Sequence, residues 1–306
     1  MISIQNQLLN NYFQEYLDLK SIPQISIKRE DQIHPFVSGN KYRKLKYNLI
    51  EAKVQKKQTL LTFGGAFSNH IAATAAAGRE YGIQTIGVIR GEELIDKIDE
   101  NPTLAFAKAN GMKFHFVSRA QYQQKHTNDF QKTLIEKFGD FYLLPEGGTN
   151  SLAVKGCEEI LKKEDAVFDY ICLPVGTGGT MAGIINSSKS HQKIIGFSAL
   201  KGNFLENEIK KWTSRSNWEI TDDYCFGGYA KINQELVNFI NEFKNKTDIP
   251  LDPIYTGKMI YGIFELVKSG FFPKNSRILA IHTGGLQGIQ GMNLQLEKRN
   301  LPLIEI

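Results

Sequence analysis

Short apolar runs alternate with helical patterns almost from end to end of this chain. The runs fall at Ile25 to Lys28, Thr59 to Phe63, Thr85 to Ile89, Lys113 to Val117, Tyr142 to Leu144, Tyr170 to Leu173, Ile194 to Ser198 and Ile278 to His282. Their length and β-branched content read as strands. Between them, apolar residues recur every three or four positions. That period predicts helices over Lys41 to Gln55, Asn69 to Tyr81, Asn101 to Ala109, Gln121 to Lys137, Leu152 to Lys162, Gly179 to Ser188, Gln234 to Phe243 and Tyr255 to Lys268. Strands alternating with helices predict an α/β fold on parallel sheets with crossover helices.

The first of these helices carries the most telling asymmetry. Tyr42, Leu45, Leu49 and Ala52 form one apolar stripe, and Lys41 borders it. Lys44 shares a face with Asn48, Glu51 and Gln55 and reads as a solvated lysine. Lysine is seldom buried, so an inward Lys41 needs a chemical reason.

The chain has 306 residues, enough for one large domain or two smaller ones. Lys and Arg number 37 against 32 Asp and Glu, a net charge of +5, and the basic residues are scattered. That does not make a nucleic-acid footprint. No stretch approaches the roughly 20 apolar residues a bilayer demands, so the expectation is a soluble cytoplasmic protein. Three cysteines, Cys157, Cys172 and Cys225, stand too far apart for a disulfide framework or a metal site.

Four glycine-rich turns each follow an apolar run: Gly64-Gly65, Gly147-Gly148, Gly176-Thr177-Gly178-Gly179-Thr180 and Gly284-Gly285. In open parallel sheets ligands sit beyond the carboxyl ends of strands, so these turns plausibly surround one cleft. The third runs from strand to helix, and its amides and helix N-terminus suit a phosphate, with Thr177 and Thr180 adding hydroxyls. A plain tight turn is the alternative. A dinucleotide would want a glycine at Met181 and an acid ending the next strand, which reads Gly196-Phe197-Ser198-Ala199. A nucleotide kinase loop would want a lysine before Thr180. A small phosphorylated cofactor that also needs a lysine remains, and pyridoxal phosphate meets both demands. After Gly64-Gly65, Ser68 or Asn69 can cap the next helix or, with His70, offer donors to a substrate carboxylate. Tyr229 and Tyr255 sit at loop-to-helix junctions where side chains can enter a cleft, and Thr283 follows a carboxyl strand end.

Lys28 to Asp31, Ser38 to Leu45, Gly64 to Asn69, Pro145 to Asn150 and Gly176 to Thr180 together resemble the family of 1-aminocyclopropane-1-carboxylate deaminase and D-cysteine desulfhydrase. The resemblance runs from about residue 25 to about residue 290. It implies a two-domain α/β enzyme of fold type II, like the tryptophan synthase β chain, with open parallel sheets and helices on both faces. The small inserted domain would cover residues 56–152, and the large domain residues 1–55 and 153–306. It further implies pyridoxal 5'-phosphate as cofactor, a small amino-acid substrate and a homodimer. Lys41 resembles the Schiff-base lysine, Asn69 the partner of the cofactor's phenolic oxygen, and Gly176, Thr177, Gly178, Gly179 and Thr180 its phosphate cradle. Ser68 resembles the catalytic serine near the substrate carboxylate, and Tyr229 and Tyr255 the two active-site tyrosines.

Ring-opening members of the family have Tyr-Glu-Gly-Lys and His-Leu-Gly-Gly, whereas this chain reads Tyr255-Thr256-Gly257-Lys258 and His282-Thr283-Gly284-Gly285. Both positions resemble the desulfhydrase type. A threonine at the pyridine nitrogen cannot supply the charge that would strengthen the electron sink, and expelling a thiolate asks less of that sink than ring opening. The expectation is therefore β-elimination of D-cysteine to pyruvate, hydrogen sulfide and ammonia. Deamination of 1-aminocyclopropane-1-carboxylate to 2-oxobutyrate is the first alternative, and a non-catalytic cofactor-binding protein the second.

Overall fold

The structure is a computed structural model that describes residues 4–19, 21–202 and 204–306. Strands β1 (Asn6–Leu8), β2 (Gln24–Lys28), β3 (Thr59–Gly64), β4 (Gln84–Arg90), β5 (Lys113–Val117), β6 (Tyr142–Leu144), β7 (Tyr170–Val175), β8 (Lys193–Ser198), β9 (Trp218–Thr221) and β10 (Arg277–Ile281) form two sheets. One has six strands in the order β1-β2-β10-β7-β8-β9, the other four in the order β5-β4-β3-β6. All pairs are parallel except β1 against β2, an antiparallel edge that the sequence pattern did not foretell. Among the described residues no helix is long and apolar enough to cross a membrane.

Parallel sheets are covered on both faces, and the central strands show it. Ile25, Ile27, Ile171, Cys172, Leu173, Ile278, Leu279, Ala280 and Ile281 are fully buried. Each large aliphatic side chain so buried stabilises the fold by about 1.5–3 kcal/mol. Helices Asn10–Leu17, Gln234–Thr247 and Thr256–Lys268 are fastened together by aromatic rings, with Phe13 stacked on Phe264 at 3.8 Å and Tyr12 edge-on to Phe243 at 5.2 Å.

Pro174 lies inside β7, where its missing N–H would ordinarily be excluded. Pairing with β8 continues to Val175, but pairing with β10 stops at Cys172. The carboxyl ends of β7 and β10 therefore diverge just where chain order reverses across the sheet. Such a switch point opens a crevice for a ligand.

Helix Asn40–Val54 runs close to the expected bounds, but its surroundings correct the reading of its polar face. Leu45, Leu49 and Ala52 pack on Leu60, Ala73, Ala77 and Leu144, as the stripe implies. Arg43, Lys44 and Asn48 are buried as well. Their face meets helix Ser151–Cys157 so closely that a Cβ on Gly156 would lie 2.0 Å from the Arg43 carbonyl oxygen. Polar groups survive there because each finds a partner: the Arg43 guanidinium donates to both Glu30 oxygens at 2.9 and 3.0 Å, and Asn48 Nδ2 donates to the Lys44 carbonyl at 2.7 Å.

Two helices differ from expectation for local reasons. The run Gln121 to Lys137 is two helices, Arg119–Gln123 and Asn128–Phe138. Thr127 separates them, since its hydroxyl donates to the Gln124 carbonyl at 2.8 Å and accepts from the Phe130 amide at 3.3 Å. The helix expected to reach Lys162 ends at Cys157, and Glu159 turns back to accept from Lys46 Nζ and Tyr47 OH.

Gly39 docks the amino end of helix Asn40–Val54 onto the loop after β10. Its φ of 60° lies in the left-handed region, and a Cβ there would fall 1.9 Å from the Thr283 carbonyl oxygen, which also accepts from the Asn40 amide at 3.1 Å. Gly39→Ala is therefore expected to destabilise the protein by about 2 kcal/mol or more in urea unfolding, because strain and overlap with backbone act together.

Candidate active site

The carboxyl ends of four strands meet over one cleft. Its wall takes in Lys41 and Lys44, then Ser68, Asn69 and His70 after β3, Gly147 after β6, and Gly176, Thr177, Gly178 and Thr180 after β7. Thr283, Gly284 and Gly285 follow β10, and Tyr229 and Tyr255 close one side. Of the residues the sequence nominates for cofactor, substrate or catalysis, Gly179 stands back from the wall, as do Gly64, Gly65 and Gly148 of the other turns. Gly179 is wedged against Thr149, whose Cγ2 would lie 2.7 Å from a Cβ on that glycine.

Burial lowers the Lys41 ammonium from its ordinary pKa of 10.5 to about 7, and the charge of Lys44 pushes the same way. Its one hydrogen bond among the described residues, to Asn40 Oδ1, is long at 3.3 Å. The Asn40 amide also donates to Thr180 Oγ1 at 2.9 Å, which ties the amine to the glycine loop.

Lys44 is a site residue that the sequence reading set aside. It is 2% exposed, and its ammonium donates to the Gly147 carbonyl and Thr149 Oγ1 at 2.9 Å each and to Thr177 Oγ1 at 3.3 Å. Burial lowers its pKa to about 8. The available signal was spacing: residues three apart share a helix face, so an inward Lys41 carries Lys44 with it.

The glycine loop has the features of an anion cradle. No amide of residues 176–179 donates to a backbone carbonyl among the described residues, and helix Gly179–Ser187 begins there. Thr177 and Lys44 stand at its edge. The Thr180 hydroxyl, expected to add a donor, is instead engaged by Asn40 and the buried Cys157 thiol.

Ser68 caps helix Asn69–Tyr81, its Oγ accepting from the Ile71 amide at 3.4 Å, which leaves its own O–H to donate into the cleft. Asn69 Oδ1 accepts from Gln287 Nε2 at 2.7 Å. His70 is 1% exposed and plays a different part from the donor expected of it. The Thr62 hydroxyl donates to the Leu144 carbonyl at 3.0 Å, so the 2.9 Å contact with His70 Nε2 requires that nitrogen to carry the proton. Nδ1 is then a bare acceptor with no partner among the described residues. Burial, with Lys41 and Lys44 nearby, holds the ring well below its usual pKa and neutral. The neutral imidazole has no donor left for the cleft, whereas the helix N-terminus and the Ser68 hydroxyl do.

Tyr229, 44% exposed, and Tyr255 face each other with ring centroids 6.4 Å apart. Burial raises the pKa of both hydroxyls, so both remain O–H donors. Lys258 holds the Tyr229 loop: its buried ammonium donates to the carbonyls of Cys225 and Gly228 at 2.7 and 2.8 Å. Of the two threonines that separate the family's branches, Thr283 lines the cleft while Thr256 does not. The Thr256 hydroxyl is spent on Asp252, donating to Oδ2 at 2.9 Å and accepting from its amide at 2.8 Å.

The sequence profile of pyridoxal-phosphate dependent enzymes matches residues 13–284. The chain belongs to that family. A Thermotoga maritima protein provisionally named 1-aminocyclopropane-1-carboxylate deaminase is 33% identical to this enzyme over 295 residues, covering 89% of this chain and 92% of the relative. The mitochondrial bifunctional D-cysteine desulfhydrase/1-aminocyclopropane-1-carboxylate deaminase of Arabidopsis thaliana is 31% identical over 292 residues, covering 86% and 72%. A crystal structure of an ACC deaminase homologue superposes with a TM-score of 0.78 at 27% identity, covering 94% of this chain and 91% of that one. The enzyme therefore has the type II α/β fold and uses pyridoxal phosphate. Its cleft fits that group: unpartnered loop amides, a helix N-terminus and Lys44 suited to phosphate, and Lys41, a lysine poised to lose its proton, on the same wall.

Two measurements check these assignments. In cofactor-free enzyme, modification of Lys41 by an amine-directed reagent, read by peptide mass spectrometry, should rise through about pH 7, because only the neutral amine reacts and its pKa lies below the ordinary 10.5. Lys44→Met removes a neighbouring charge and should move that inflection upward. Lys258→Met leaves two carbonyls without their cation, a cost of about 1–3 kcal/mol, and should lower turnover through the displaced Tyr229 loop in a protein that still folds.

Proposed function

We propose that the enzyme catalyses β-elimination on D-cysteine, releasing pyruvate, hydrogen sulfide and ammonia. One observation carries the reading: among the described residues the cleft wall contains no acidic side chain, and Thr283 stands where the loop after β10 enters it. Bound pyridoxal phosphate supplies the electron sink for carbanion chemistry at Cα. Without a carboxylate to reinforce that sink, loss of a good leaving group is favoured over opening a carbon ring.

The chain's own residues divide the remaining work. Asn69 would face the cofactor's phenolic oxygen, and the loop Gly176 to Thr180 with Lys44 its phosphate. Ser68 Oγ and the amides opening helix Asn69–Tyr81 hold the substrate carboxylate. Lys41 Nζ, neutral near pH 7, takes the Cα proton. The Cβ–S bond then breaks with its electron pair leaving on sulfur, beside the hydroxyls of Tyr229 and Tyr255. The mixed desulfhydrase and deaminase activities named for the Arabidopsis relative support this choice of substrates for comparison.

Purified enzyme is expected to release sulfide from D-cysteine faster than it forms 2-oxobutyrate from 1-aminocyclopropane-1-carboxylate. The reverse order would transfer the proposal to the cyclopropane acid. Lys41→Ala should lower sulfide release by about 10²–10⁴-fold, the usual contribution of a positioned general base.

A further inference from the structure

We infer that Gln287 is a positioning residue that sets the polarity of Asn69, fixing which end of that amide faces the cofactor. The inference rests on the reading of Asn69 as the partner of the phenolic oxygen. Asn69 and Gln287 are 218 positions apart, one opening the helix after β3, the other preceding helix Gly288–Glu297 beyond β10. Their hydrogen bond crosses the cleft from the four-stranded side to the six-stranded side.

A carboxamide has one end that accepts and one that donates, and turning it over exchanges the two. Gln287 Nε2 donates to Asn69 Oδ1 at 2.7 Å. With Oδ1 occupied, Asn69 keeps its Nδ2 donor for the cleft, and that atom lies 2.7 Å from where a Cβ on Gly285 would stand. A cofactor oxygen bearing negative charge needs that donor and is repelled by a carbonyl.

The mount at position 287 is stiff. Its backbone is helical, with φ −62° and ψ −18°. The turn beneath it is closed by Gly288 N donating to the Gly285 carbonyl and Ile289 N to the Leu286 carbonyl, both at 3.0 Å. A side chain rooted there keeps its amide beside Asn69, and the observed sense of the bond, Nε2 donating to Oδ1, assigns the polarity.

Glutamate at 287 can only accept, so it captures Asn69 Nδ2 and turns Oδ1 toward the cleft. Alanine only frees the amide to rotate. Gln287→Glu is therefore expected to raise the dissociation constant for pyridoxal phosphate about tenfold, against about threefold for Gln287→Ala, as expected for one reversed hydrogen bond to a charged group. In Gln287→Glu the long-wavelength absorption of the bound cofactor should also give way to the shorter-wavelength band, as the phenolic oxygen takes up a proton.

The same substitutions in an Asn69→Ala background separate polarity from mere added charge. The expected result is that the difference between Glu and Ala at 287 disappears. A Glu penalty of equal size in both backgrounds would overturn the inference, and so would unchanged affinity and spectrum in both single variants. If Gln287→Glu does not fold, Gln287→Met replaces it: a threefold loss is expected with Asn69 present and none without it, and equal losses in both would overturn the inference. Asn69→Ala alone leaving affinity and spectrum unchanged would instead sink the reading of Asn69.

Discussion

Two lysines three positions apart on one helix, both withdrawn from water, are the constraint around which this molecule is arranged. Burying an ammonium costs several kcal/mol unless its protons are all received. Lys44 meets that demand with three oxygens drawn from the loops after β6 and β7 and remains a paired cation. Lys41 has one weak acceptor and a like charge beside it, so its cheaper course is to lose its proton. The same burial thus yields, within one turn, a well-bonded ammonium and an amine of lower pKa.

The helix can bear this because it is caught between two cores. Its apolar stripe belongs to the packing of the four-stranded sheet, and its opposite face is closed by helix Ser151–Cys157 at glycine-limited distance. Gly39 anchors its amino end on Thr283, so the lysine helix and the loop after β10 are placed relative to one another by backbone contact. With β7 and β10 parting beyond Cys172, the glycine loop after β7 is left facing that junction. The position of the cleft is therefore a consequence of topology, and the lysines are delivered to it by the tightest helix packing in its neighbourhood.

Much of this was legible in residue order. Runs of Ile, Val and Leu announced the strands, and glycine after each of four runs announced where the backbone turns into the cleft, since glycine is needed where chains approach closely. Lys41 was legible because one side of its helix is apolar. Lys44 was not, because a polar face against a polar, partnered surface looks the same in sequence as a polar face against water. His70 was legible as a site residue but not as an acceptor, since its protonation is decided by Thr62 and Leu144 on strands that sequence spacing does not relate to it. Gln287 was missed altogether: its partner is remote, and a lone glutamine carries no pattern. The antiparallel edge β1 is three exposed residues, too short and polar to register.

Burial and the charge of Lys44 lower the pKa of Lys41 against an opposing pull from Asp252. This carboxylate is buried behind Gly285, close enough to favour a charged Lys41. It is surrounded by donors: the amides of Ile254, Tyr255 and Thr256 and the Thr256 hydroxyl all point at its two oxygens. Those bonds open helix Thr256–Lys268 and spread the negative charge over a helix N-terminus, which blunts its pull on the amine. The Thr256 hydroxyl is thus occupied with that acid at the opening of its helix and stands back from the cleft wall.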